Sequence, residues 1–238
     1  MGYAATVHEH LDRLERHNSE AVERAVGALT TAIAKDGLIV TAGAGHSLAA
    51  VAETFYRAGG LSCVRPLYHP DLLPMHGAKS STDAERRTGL AAEVLAADPL
   101  GPNDVLIVFS TSGVNPYPVE LARAGRAAGL PVIGVTSGPA SSAAPKRSGT
   151  TLAAESSIVL DTLVPPGDAA HPAGAAVTAP LSSLATMFVW NLLLVSLHAR
   201  AERDGVDLPL WRSANTEGGD QANKDLLAHY GKRVPRLA

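Results

Sequence analysis

The sequence predicts an α/β fold: a three-layer αβα sandwich around a five-stranded parallel sheet, flavodoxin-like in type, with all 238 residues in one domain. Three observations carry this. Five short apolar runs, at residues 37–42, 62–65, 105–109, 131–136 and 157–161, alternate with stretches of helical spacing. The runs are apolar throughout instead of alternating, as strands covered on both faces must be. Two of them stop abruptly at turns rich in glycine and hydroxyl groups, and ligands of open parallel sheets gather at strand C-termini.

Composition narrows the class. The formal net charge is -3 with no basic block, so nucleic-acid binding through a charged surface is not expected. The one cysteine, Cys63, cannot form an internal disulfide and fits a reducing compartment. Placed in a predicted strand, it reads as a small core residue. No signal-peptide pattern opens the chain. The apolar run at 187–197 is too short to span a bilayer and carries Asn191 and Ser196, so it reads as a core or interface helix. A cytoplasmic protein without membrane association is the expectation.

In order, residues 5–35 read as helical, because Leu11, Leu14, Val22, Val26, Leu29 and Ile33 recur at helix spacing. A break is expected near Asn18-Ser19, with Ser19 capping a second helix. His8 and His10 lie on different sides of that helix and read as surface residues. The strand at 37–42 ends in Gly43-Ala-Gly45-His-Ser47, and a helix follows from 48 to about 58 before Gly59-Gly60 stops it. This unit resembles a dinucleotide fingerprint only weakly. Leu48 replaces the third glycine, and Arg65-Pro66 stands where a ribose-binding acid belongs. A nicotinamide cofactor with a 2′-phosphate stays open on Arg65; otherwise no cofactor is expected. The competing reading is that Gly45, His46 and Ser47 approach a small phosphorylated ligand, with Ser47 also capping the helix.

Residues 66–84 hold prolines, glycine, His76 and little apolar periodicity, and read as a long functional loop. Thr82 or Asp83 then caps a helix carrying Glu85, Gly89 and Glu93, which places Glu85 in a first turn, where a carboxylate suits the helix dipole. The strand Val105-Leu-Ile-Val-Phe109 runs into Ser110-Thr-Ser112-Gly-Val-Asn115, and Pro116 and Pro118 open a helix to about 129. A hydroxyl-rich turn at a helix N-terminus is an anion site that needs no cation. After the last strand come a loop, Pro165-Pro-Gly-Asp168, a helix at about 178–203 and a polar tail from 205. A final amphipathic helix carries Leu226, Leu227 and Tyr230, with Asp220 at its start.

Two other chemistries fail on spacing. Ser112, Asp161 and His171 follow the chain order of an α/β-hydrolase triad, but the nucleophile elbow needs glycine where Ser110 and Val114 stand. No His-Glu-x-x-His and no paired cysteine suggest a metal.

The Gly45–Ser47 turn, the Ser110-Thr-Ser112-Gly turn and Val132-Ile-Gly-Val-Thr136 together resemble a sugar isomerase (SIS) domain over roughly residues 35–200. Each half is common, and the pair is fairly specific. Phe55-Tyr-Arg-Ala-Gly-Gly-Leu61 and the tail Arg212-Ser-Ala-Asn215-Thr-Glu-Gly-Gly-Asp220-Gln-Ala-Asn223 resemble a bacterial single-domain SIS subgroup of predicted sugar-phosphate proteins. The resemblance implies a homodimer or homotetramer that binds a phosphosugar through Gly45, Ser47, Ser110, Thr111 and Ser112. Asn115 stands where many members have threonine, and still donates. Asn215 and Asn223 of the tail are expected at a ligand site, in the same or a neighbouring subunit. Glu85-Arg-Arg-Thr-Gly-Leu-Ala91 is similar in position to the base-bearing segment of N-acetylmuramic acid 6-phosphate etherases. This implies a lyase, a dehydratase on an amino-sugar 6-phosphate, with Glu85 as base and Glu93, His46 or His76 as acid. An aldose–ketose isomerase and a non-catalytic phosphosugar sensor are the alternatives.

Overall fold

The computed structural model describes residues 2–237. It begins with α1 (Tyr3–Ala34), one continuous helix of 32 residues. The break expected at Asn18-Ser19 is absent, and the reason lies in a distant strand end. Buried Asn18 donates to the Leu14 and Asp161 carbonyls, at 2.8 Å each, and accepts from the Asp161 N–H at 2.8 Å. An asparagine that would compete with its own helix backbone is committed elsewhere. His10, expected at the surface, is buried, with Nε2 2.9 Å from the Thr162 carbonyl and Nδ1 3.2 Å from Arg13. Arginine only donates, so Nδ1 accepts and Nε2 carries the proton. Burial foremost holds the ring pKa below its usual value. His8 is exposed, as expected. Asn18→Ala should cost about 1–3 kcal/mol in urea denaturation, because it strips both backbone groups of Asp161 of a partner.

The rest alternates strands and helices. β1 (Ile39–Gly43) leads through a 3-10 turn, Gly45–Ser47, into α2 (Leu48–Thr54), and β2 (Val64–Pro66) follows. Next come α3 (Ala78–Arg86), α4 (Leu90–Ala97), β3 (Val105–Phe109), α5 (Pro116–Ala127) and β4 (Val132–Thr136). The short α6 (Gly138–Ala143) and α7 (Leu152–Glu155) precede β5 (Ile158–Asp161), α8 (Ser182–Asp204) and α9 (Gly219–Tyr230). The five strands pair in parallel in the order β2-β1-β3-β4-β5. The order reverses between β1 and β3, so their C-terminal ends frame the crevice where ligands of such sheets bind. α1, α2 and α8 form one covering layer; α4, α5 and α7 pack on the other side. The fold is therefore the three-layer α/β sandwich that the sequence predicts.

Three boundaries differ from expectation. α2 stops at Thr54, whose hydroxyl bonds the Val51 carbonyl at 2.7 Å and the Thr41 hydroxyl at 3.1 Å. The supposed loop at 66–84 holds two 3-10 turns, Pro70–Leu72 and Pro74–His76, each opened by its proline, and most of α3. Gly89, in the left-handed region at φ 88°, then separates α3 from α4. Glu85 therefore lies in the last turn of a helix instead of the first, so a favourable dipole partnership does not explain it. α8 begins at Ser182 because Asp168 caps it, accepting from the Leu181 and Ser182 N–H groups at 2.9 and 2.8 Å. By length and composition α8 could cross a membrane, but a stripe from Ala185 through Trp190 to Ala201 lies buried, and the helix packs against α1 and α2. Cys63 is buried, and burial pushes its thiol up to about 12.

Candidate active site

A cavity of about 490 Å³ opens at the C-terminal ends of β1 and β3. Gly45, His46 and Ser47 line one side and Thr111, Ser112 and Asn115 the next. Glu85 reaches in from the end of α3. Ala140, Ala143 and Ala144 of and beyond α6, with Pro165 and Pro166, make an apolar wall. Asp168, Ser182, Ser183 and Thr186 close it at the start of α8.

The serine turn is clamped from behind. Ser110 does not line the cavity: its N–H donates to the Val135 carbonyl at 3.0 Å, and its Oγ accepts from the Gly113 N–H at 3.2 Å. The Thr111 carbonyl accepts from the Ser137 N–H at 2.9 Å and the Thr136 hydroxyl at 3.2 Å. Gly113 has φ 60°, and a Cβ there would lie 2.7 Å from Thr136 Oγ1 and 3.0 Å from Leu152 Cβ. Only glycine fits this bend. Among the described residues, no protein acceptor takes the N–H of Thr111 or of Ser112. With the N-terminus of α5 close behind, these N–H groups could receive an anion. Ser47 makes no capping bond, contrary to the cap expected of it, so its hydroxyl is not spent on α2.

Asn115 holds the N-cap position of α5 but forms no cap bond either. Its Oδ1 accepts from Arg147 Nη1 at 3.1 Å, and its side chain lines the cavity beside Glu85. Burial pushes the Glu85 carboxyl above the usual glutamate range; the Asn115 side chain and the cations Arg86 and Arg147 pull the other way. A desolvated carboxylate with a raised pKa in a cleft is the environment of a general base or acid.

Besides Ser110, four of the expected residues do not line this cavity; two of them, Asn215 and Asn223, are those expected at a ligand site of the same or a neighbouring subunit. Glu93 sits on α4, past the break at Gly89, and pairs with Arg87 through two bonds of 2.8 Å. His76 is exposed, 3.2 Å from the Pro70 carbonyl. Asn223 is buried, but both ends of its amide are used on the Arg212 backbone, at 3.0 and 2.9 Å. Asn215 lies on the exposed tail. Of the acid candidates, His46 alone lines the cavity. The residues missed in the sequence are Ser182, Ser183, Thr186 and the small side chains around α6. The signal available for the first three was a helix starting straight after the loop at 165–168, above the same strand ends.

A family model for the SIS domain matches residues 2–137. The UPF0309 protein of Geobacillus kaustophilus is 33% identical over 99% of this chain and 95% of its own. That of Streptomyces coelicolor is 36% identical, covering 94% and 92%. Among solved structures, phosphoheptose isomerase GmhA from Neisseria gonorrhoeae superposes with a TM-score of 0.56 at 18% identity, over 83% of this chain and 95% of that one. The Vibrio vulnificus NanR protein complexed with ManNAc-6P gives 0.50 at 11% identity, over 94% and 67%. These distant structures share the fold. The near full-length match to UPF0309 proteins and the domain match over more than half the chain, framing the cavity at β1 and β3, together make this protein a member of the SIS domain family.

Proposed function

We propose that this cavity binds a phosphosugar, and that the protein is a carbon–oxygen lyase dehydrating an amino-sugar 6-phosphate such as N-acetylglucosamine 6-phosphate. One observation carries the reading: a half-buried carboxylate with a raised pKa, Glu85, shares a cavity with the unpartnered backbone N–H groups of Thr111 and Ser112. The phosphate lies on that turn, and the Ser47 hydroxyl adds a donor. In the open-chain sugar the aldehyde acidifies the C2 proton. Glu85 takes that proton, and the C2–H electron pair moves into an enolate stabilised at the C1 oxygen. The enolate collapses to a C2=C3 double bond and expels the C3 hydroxyl, which leaves as water after protonation by an acid such as His46. The wall of Ala140, Ala143, Ala144 and Pro165 suits an acetyl group better than a charged amine. NanR holds ManNAc-6P on this fold, and an N-acetylated sugar phosphate is carried to this chain as part of the proposal.

An aldose–ketose isomerase would share the first step and return the proton at C1. GmhA, an isomerase by name, supports it through the fold alone. Incubation of the purified protein with N-acetylglucosamine 6-phosphate, followed by mass spectrometry, separates the readings. The expected product has lost one water. A product of unchanged mass indicates the isomerase. A ligand-dependent rise in melting temperature without any product indicates a sensor.

A further inference from the structure

We propose that Ser183 selects an N-acylated sugar: its hydroxyl donates to the carbonyl oxygen of the sugar's acetamido group, while the acetyl methyl lies on the wall of Ala140, Ala143, Ala144 and Pro165. This rests on the reading of the cavity as a phosphosugar site.

An acetamido group brings a methyl, a carbonyl oxygen and an N–H into the cavity. The methyl suits the apolar wall, but a carbonyl taken out of water without a partner is costly. The wall has few donors to give it. Pro165 and Pro166 carry no N–H. The Ala140 N–H is spent on Ser137 Oγ at 3.1 Å, the Ala144 N–H on the Ala140 carbonyl at 3.1 Å, and the Asp168 N–H on the Pro165 carbonyl at 3.0 Å. The neighbouring element that can supply a donor is the start of α8.

Asp168 joins wall and helix. It follows Pro165-Pro-Gly in the chain and accepts from the Leu181 and Ser182 N–H groups, which holds the first turn of α8 against the wall. Three hydroxyl-bearing residues of α8 line the cavity there: Ser182, Ser183 and Thr186. Two of the hydroxyls are committed. Ser182 Oγ donates to Asp168 Oδ2 at 2.5 Å, and Thr186 Oγ1 donates to the Ser182 and Ser183 carbonyls at 2.9 and 3.2 Å. Ser183 Oγ has no partner among the described residues. The residue is half-buried and shares a helix face with Thr186, three positions on. Ser47, Thr111 and Ser112 also bring hydroxyls to the cavity, but from the turns after β1 and β3, where the phosphate is placed. A free amine fares worse than an acetamide here. Asp168 already accepts from three donors, and an ammonium group would otherwise face alanine side chains.

The test is calorimetric titration of the full chain in the Glu85→Gln background, which removes the base and so spares the sugar. The ligands are N-acetylglucosamine 6-phosphate, glucose 6-phosphate and inorganic phosphate. Adding Ser183→Ala should weaken the acetamido sugar by about five- to twentyfold and leave the other two within about twofold. Ser183→Thr and Ser183→Val repeat the comparison at equal shape: the first should keep the preference for the acetamido sugar and the second should lose it. Equal weakening of all three ligands makes Ser183 a phosphate ligand and overturns the inference, as does no weakening of any. Selective weakening, with no product formed by the wild type, leaves the inference standing and removes the lyase reading. Loss of water from the acetamido sugar in the wild type, with unselective weakening in the variants, keeps the lyase reading and removes the role of Ser183.

Discussion

Glu85→Gln is expected to lower turnover by about 10²–10⁴-fold, the usual worth of a positioned general base, without lowering the melting temperature. Loss of rate follows because a carboxamide cannot take the C2 proton. The stability half follows from linkage. Burial raises the Glu85 pKa in the folded state, so the folded protein binds a proton more readily than the unfolded chain. As pH rises from the ordinary glutamate range through that raised value, the folded state must hold a desolvated charge, and stability falls. Glutamine has the same shape but carries no charge. At neutral pH the variant should melt at or above the wild-type temperature, and its stability should lose the part of the pH dependence that belongs to Glu85. In the wild type, kcat/KM should fall as pH drops through the raised Glu85 pKa. Full turnover by the variant would remove Glu85 as the base. A lower melting temperature would show that the carboxylate helps hold the fold together.

Gly113→Ala should be the most damaging substitution in the serine turn. An alanine at φ 60° costs about 1–2 kcal/mol in backbone conformation alone. Its Cβ would also meet Thr136 Oγ1 at 2.7 Å, where that hydroxyl is tied to the Thr111 carbonyl, so the crowding displaces the turn. A total loss near 2–4 kcal/mol is expected in urea denaturation. Phosphosugar affinity should fall at least tenfold, because the Thr111 and Ser112 N–H groups lose their common aim. Calorimetric titration checks this. Unchanged affinity in Gly113→Ala would mean that the phosphate rests elsewhere in the cavity.

The sheet was legible because its physics is local. Strands buried on both faces read as unbroken apolar runs, and the turns ending β1 and β3 carry the glycine and serine pattern within a few residues. What escaped depends on distant partners or on weak periodicity. Asn18 looks like a helix breaker until Asp161, 143 residues away, supplies its hydrogen bonds. α3 buries only Ser81 and Ala84, so it has no apolar stripe to announce it, and the local pattern puts Glu85 at the wrong end of a helix. Glu93 looked like a helical neighbour of Glu85 because Gly89 alone does not reveal that the chain changes direction there. The arrival of Asp168 and Ser182 at the cavity is set by how α8 crosses the sheet, which no local pattern encodes. Ser110 and Ser112 look equivalent in sequence, yet one hydroxyl braces the turn from behind while the other residue faces the cavity.

The most direct measurement is a crystal structure of Glu85→Gln bound to N-acetylglucosamine 6-phosphate, trapped because the base is gone. The phosphate should accept from the Thr111 and Ser112 N–H groups, with the Ser47 hydroxyl beside it. Sugar C2 should lie about 3–3.5 Å from the side chain at position 85, the separation of a reactive pair. A phosphate seated away from the serine turn, or a C2 turned toward the wall of Pro165 and Pro166, would contradict the assignment of both anchor and base.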